Sequence, residues 1–167
     1  MKMKVTCTLT ILLLLLCACS KKDASRKRSN HDPLNQVRSA PSEPARHFLH
    51  KTFKVATYVQ FPFDVPARAF NPKLQGSFKA YPQGKSPDAG DDSSNVDFLL
   101  LNAEEFDDFT HHRSGAVRYS IGAAHRQDVD YALPATMEDP VKYFIVFRNS
   151  TPNGPPRMVD ADFTISF

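Results

Sequence analysis

The chain has 167 residues, room for one domain with extra segments. Its 21 Lys and Arg exceed its 18 Asp and Glu, but residues 20–46 hold seven of those cations against three anions, and residues 47–167 hold twelve against fifteen. The basic surplus therefore lies outside the part that is apolar enough to fold, and it gives no argument for nucleic-acid binding. Cys7, Cys17 and Cys19 are the only cysteines, which excludes disulfides, thiolate metal sites and cysteine nucleophiles from everything after residue 19.

Residues 1–18 open with Lys2 and Lys4, continue through an apolar run of about ten residues and end on small residues. The run is too short to span a bilayer as a helix, which needs about twenty apolar residues, and has the anatomy of a secretory signal. Leu16-Cys17-Ala18-Cys19 resembles a bacterial lipobox. That resemblance implies cleavage between Ala18 and Cys19, acyl chains on Cys19, and membrane attachment through them. In such lipoproteins a serine after the cysteine, here Ser20, is similar to the pattern sorted to an outer membrane. An ordinary signal peptide cut nearby is the alternative. Residues 19–46 are polar, charged and nearly free of aromatics, so they are expected to form a disordered linker. Lys21, Lys22, Arg26, Lys27 and Arg28 then serve as a second, electrostatic anchor or as a solvated spacer.

The texture changes at His47. Phe53, Val55, Thr57, Val59 and Phe61 alternate with polar and small residues and predict one strand. Pro62, Pro66 and Pro72 predict a loop, and Leu74–Ala80 a second strand. Residues 82–95 are all turn formers. Val96–Leu101 is a third strand, followed by a helix from Ala103 to about His112. Asn102 and Glu105 are placed to form a capping box, Leu101 and Phe106 to form a hydrophobic staple, and Gly115 to end the helix. Val117–Ile121, Val129–Leu133, Val141–Ser150 and Val159–Phe167 complete seven strands. Apolar on both sides at mid-length, Val141–Ser150 is expected to be central. The pattern predicts an all-β, antiparallel, jelly-roll-like β-sandwich over residues 47–167 with one short helix.

Five stretches in order carry a second resemblance: FPFDVP (61–66), KLQGSFKA (73–80), VDFLLLNAEEFDDF (96–109), YFIVFRNS (143–150) and VDADFTISF (159–167). Together they resemble a bacterial group of secreted GOLD-type (Golgi-dynamics-like) β-sandwich domains, and secondarily the pre-peptidase C-terminal domain. Phe109 stands where the first pattern often has Trp, and Asp139-Pro140 where it usually has Gly. The resemblance implies a non-catalytic module that binds other molecules or holds assemblies together, and it supplies no catalytic residues.

Nucleophile-elbow, HExxH, phosphate-loop and dinucleotide-binding motifs are absent. Ser114 beside His111 and His112 is weak ground for a hydrolase. His111, His112 and His125 are weak ground for zinc, because adjacent helical side chains point about 100° apart. Asp88, Asp91, Asp92, Asn95 and Asp97 could offer oxygens to calcium, although their spacing is not that of a calcium loop. Phe144 and Val146, with Tyr58 or Tyr81, form either an apolar interaction patch or the floor beneath the helix. The sequence is thus read as a lipid-anchored, non-catalytic envelope protein without cofactor, whose sandwich binds a protein or polysaccharide partner. An envelope hydrolase or a structural spacer is the alternative.

Overall fold

Period-two runs dominate residues 45–167, which the computed structural model describes, and eight of them form strands. These are β1 (Arg46–Val55), β2 (Tyr58–Val65), β3 (Lys73–Pro82), β4 (Val96–Asn102), β5 (Tyr119–Ala124), β6 (Arg126–Ala132), β7 (Val141–Asn149) and β8 (Arg157–Ser166). One helix, α1 (Ala103–Thr110), follows β4. The expected signal peptide, the Ala18/Cys19 cleavage point, the lipidated Cys19 and all but the last two residues of the expected linker lie outside the described residues. No described helix is long and apolar enough to cross a membrane.

The strands form two four-stranded antiparallel sheets, ordered β1-β8-β3-β6 and β2-β7-β4-β5. Packed face to face they make the expected β-sandwich, with eight strands instead of seven. The extra strand comes from the run Phe53–Phe61, expected to be continuous. It bends at Ala56-Thr57, so that β1 pairs with β8 in one sheet and β2 with β7 in the other. Pro62 lies inside β2 instead of ending it. As an edge strand, β2 pairs only with β7, so the N–H that proline lacks can fall on the open side.

Inward residues of both sheets make one core. Phe78, Phe98, Phe147, Phe163, Leu74, Leu100 and Ile145 are fully buried in it. Phe147 of β7 meets Phe53, Phe78 and Phe163 of the facing sheet at ring-centroid distances of 5.2, 5.3 and 6.3 Å, each at a steep angle. Phe98 stacks between Phe78 and Phe163 at 5.9 and 5.6 Å, within 10° of parallel. Gly76 makes room for Phe163: a methyl group there would sit 2.2 Å from the Asp162 carbonyl oxygen and 2.6 Å from the Phe163 ring.

The opposite face of β7 is covered as well. Asn102 Oδ1 accepts from the Glu105 amide at 2.8 Å, and Glu105 Oε2 accepts from the Asn102 amide at 2.7 Å, closing the expected capping box. The helix so started lays Phe106 and Phe109 over Leu99, Leu101 and Val146. Phe106 stacks on Phe144 at 4.1 Å. Val146 is therefore wholly buried and Phe144 half-buried. The two residues suggested as an open interaction patch are the floor of this second apolar cluster. The helix ends earlier than expected, at Thr110, with His112 in the left-handed region (φ 52°) that glycine was expected to supply. Gly115 instead lets the chain pass close to Asp108, where a Cβ would lie 2.6 Å from its carboxylate.

Phe147→Ala would leave a large cavity between the sheets. It is expected to cost about 3–5 kcal/mol, read as a lower urea midpoint at an unchanged m-value.

Candidate functional site

At one end of the sandwich β1 turns into β2 at Ala56-Thr57, and β7 runs out into the loop before β8. Pro152 and Asn153 occupy the central positions of a tight turn closed by the Gly154 amide on the Thr151 carbonyl at 3.0 Å. Asn153 has φ 58°, the left-handed value that a type II turn needs after proline. Between the two connections lies a cleft of about 390 Å³ lined by Ala56, Thr57, Asp97, Arg148, Asn149, Ser150, Thr151, Pro152 and Asn153.

Asn149 assembles it. Buried to 6% exposure, it donates from Nδ2 to the Ala56 carbonyl at 3.2 Å and to the Pro155 carbonyl at 3.1 Å. Its Oδ1 accepts from the Thr151 amide at 3.1 Å, and its own amide donates to the Thr57 carbonyl at 2.8 Å. One side chain thus ties both connections together.

Asp97 and Arg148 face each other across β4 and β7, on the outer side of their sheet. Arg148 donates to Asp97 Oδ2 from Nε at 3.0 Å and from Nη2 at 2.8 Å. Asp97 Oδ1 accepts from the Ser150 hydroxyl at 2.7 Å and from the Ala123 amide at 2.9 Å. Burial, the largest single influence, pushes the Asp97 carboxyl up. The Ala123 amide, the Ser150 hydroxyl and Arg148 together outweigh it and hold the carboxyl below the usual carboxylate range. The Asp97 side chain keeps 14% of its exposure and that of Arg148 49%, so the carboxylate is the fixed partner and the guanidinium the reachable one. Tyr58, opposite Arg148 in register and 41% exposed, flanks the pair, its ring edge-on to Phe109 at 5.2 Å. Among the described residues, Arg148 Nη1 and the side chains of Thr57, Thr151 and Asn153 make no hydrogen bond. They are available to a ligand.

The acidic stretch suggested for calcium does not converge. Asp88 faces Lys79 at 3.2 Å and Arg126 at 3.1 Å, and the Lys79 ammonium holds its carboxyl below the usual range. Asp91 caps the 3-10 turn Asp92–Ser94, accepting from the Ser93 amide at 2.9 Å. Asp92 stands 3.7 Å from His125, and Asp97 serves the cleft. Asn95 Oδ1 is buried and unpaired. Among the described residues no three His, Cys, Asp or Glu side chains are grouped as a metal site requires. His111 Nδ1 lies 3.2 Å from Asp107 Oδ1, His112 makes the turn after the helix, and Ser114 is exposed beyond it.

The cleft was not foreseen from sequence. In the sequence Asp97 groups with the acidic loop and Arg148 with the strand Val141–Ser150. The Ala56-Thr57 corner hides in an unbroken alternation. The signal available was the adjoining polar run Arg148-Asn149-Ser150-Thr151 at the end of an otherwise apolar strand.

No protein-family model matches the chain, and no curated protein does. Among solved structures it is similar to TmCBM61, described in complex with β-1,4-galactotriose, at 11% identity and a TM-score of 0.40, covering 68% of this chain and 67% of that one. It is also similar to the CBM36-1 domain of a multidomain xylanase from the hindgut metagenome of Trinervitermes trinervoides (7% identity, TM-score 0.37, 75% and 91% covered). A third similarity is to infectious bursal disease virus Gx strain (13%, TM-score 0.32, 75% and 32%). Likenesses this distant do not bear on function. The class that the fold itself defines is an antiparallel β-sandwich with a polar cleft at one end.

Two outcomes test the cleft's construction. Asn149→Ala leaves the Ala56 and Pro155 carbonyls without their donor and is expected to cost about 1–3 kcal/mol of stability. Asp97 favours folding as the carboxylate. That contribution is full above its unfolded pKa of about 3.9 and is lost as pH falls through the lower folded value. Asp97→Asn should therefore be less stable than the parent near neutrality, with the gap narrowing below roughly pH 4. A gap constant with pH in urea melts contradicts this.

Proposed function

We propose that the protein is a lipid-anchored envelope protein whose β-sandwich binds a neutral polysaccharide in the Asp97–Arg148 cleft without chemistry. The observation that carries it is the pairing itself. Asp97 cancels the charge of Arg148 and fixes its guanidinium, leaving Nη1, two threonine hydroxyls and one carboxamide free, with a half-open aromatic ring alongside. Fixed planar donors and hydroxyl groups around a ring suit a ligand rich in hydroxyls and without charge. The GOLD-type resemblance agrees with a binding role. The lipobox at Leu16–Cys19 supports attachment through acyl chains on Cys19, and Ser20 supports the outer membrane.

Titration calorimetry with neutral oligosaccharides prepared from cell-envelope polysaccharide tests the binding. Arg148→Ala, folded as judged by its melting curve, should lose roughly 10- to 100-fold in affinity, as expected for a hydrogen bond to a charged donor. Equal binding by parent and variant, or binding of charged oligosaccharides alone, overturns the assignment. Intact-mass measurement of protein extracted from membranes, beside Cys19→Ala, tests the anchor. The expected form begins at Cys19 and carries a diacylglyceryl-sized addition that the variant lacks.

A further inference from the structure

At the other end of the sandwich two loops are fastened to each other. Residues 66–72 join β2 to β3 and residues 133–140 join β6 to β7. The Arg68 amide donates to the Met137 carbonyl at 2.8 Å, and the Thr136 amide to the Ala69 carbonyl at 3.0 Å. The Ala69 amide donates to Thr136 Oγ1 at 2.8 Å, and that hydroxyl donates to the Pro66 carbonyl at 2.5 Å. Leu133 is tied to Pro72 in the same way, amide to carbonyl at 2.8 Å. Ala69, Pro72, Leu133 and Thr136 are buried beneath this ladder. Pro66, Pro72, Pro134 and Pro140 stiffen both loops.

What the ladder holds out is apolar. Phe70 and Met137 are each 81% exposed, the most exposed of the large hydrophobic side chains among the described residues. Arg68, beside them, sits at φ 61°, a region uncommon for residues with side chains. A phenylalanine and a methionine standing clear on stiff loops have no apolar partner in the domain. A soft apolar medium can take them in without reshaping the protein, and with little loss of freedom on binding.

The fold says which end this is. Arg46, where β1 begins, lies opposite Ile165, and Lys73, where β3 begins, lies opposite Ser166 and Ala132. The chain from residue 45 backwards therefore leaves the domain at the Phe70/Met137 end, with 26 residues between Cys19 and Arg46. We infer that Phe70 and Met137 insert into the lipid surface to which the chain is anchored. This rests on the anchor proposed above. The loops carry Arg68 against Glu138 and Asp139, and nearby Lys142 and Lys73 face Asp64 and Asp130 at 3.7 and 2.8 Å. With no basic surplus, the contact is apolar and only weakly dependent on salt. β7 spans nine residues between the two ends, so the cleft stands roughly 30 Å from the lipid surface, facing away from it.

The chain contains no tryptophan, so a single introduced one reports its own surroundings. Phe70→Trp and, at the cleft end, Asn153→Trp are made in the full-length protein. Each is extracted from membranes and reconstituted into vesicles of phosphatidylethanolamine and phosphatidylglycerol with brominated acyl chains. The expected result is blue-shifted, bromine-quenched emission from F70W, unchanged by high salt, and water-like, unquenched emission from N153W. Water-like emission from F70W, or equal quenching of both, overturns the inference. Intact mass of the same samples reads the anchor separately. If Cys19 carries no lipid, the anchor reading fails, and vesicles added to the unanchored protein still decide whether Phe70 enters lipid. Phe70→Ser with Met137→Ser should melt as the parent does, so weakened vesicle binding by this variant is not a folding effect.

Discussion

Phe147 is the contact on which the two sheets depend. It comes from the second strand of one sheet and meets three phenylalanines of the other, while its own sheet contributes Phe61 and Phe98 at its sides. Edge-to-face rings at 5–6 Å add specific geometry to plain burial. Because α1 also covers its outer face, β7, like its neighbour β4, is buried from both directions. Its position fixes everything attached to its two ends: the ladder of loops before Val141 and the polar cleft after Arg148.

The cleft exists because β7 changes character at that point. From Tyr143 to Phe147 its residues serve apolar layers; from Arg148 the chain is polar through Thr151. α1 is only eight residues long, so it covers Phe144 and Val146 but leaves the row of Tyr58, Arg148 and Asp97 uncovered. The short helix thus both closes a hydrophobic face and sets where the open polar face begins. Asn149, turned inward at the same place, holds the two connections whose side chains line the opening.

Much of the fold was legible because burial on one face imposes a period of two. β3 and β8 follow that alternation closely, β4 and β7 stand out as short apolar runs covered on both faces, and the capping box and staple located the start of α1. The division of residues 46–65 into two strands was not legible, for a physical reason. Val55 and Val59 both point into the core although they belong to different sheets, and the two-residue corner preserves the phase of the pattern. A chain that steps from one sheet to its facing partner keeps the same residues inward. The cleft was illegible for a related reason: Asp97, Arg148 and Thr57 meet through pairings between strands far apart in sequence, which no local pattern encodes. The helix end was misplaced because His112, not Gly115, adopts the left-handed turn.

The strand order has a consequence for the making of the protein. Only β4 and β5 are neighbours both in sequence and in a sheet. Among the described strands β1 pairs only with β8, more than a hundred residues later. As the polypeptide emerges, β1 has no partner in its sheet until β8 is complete. Folding should therefore begin around β4, α1 and β5, and finish with a late, cooperative closure of the sheet containing β1 and β8. Such non-local pairing is slow, and an unfinished chain of this topology would stay open, with β1 unpaired and free to pass through any channel that admits an unfolded polypeptide.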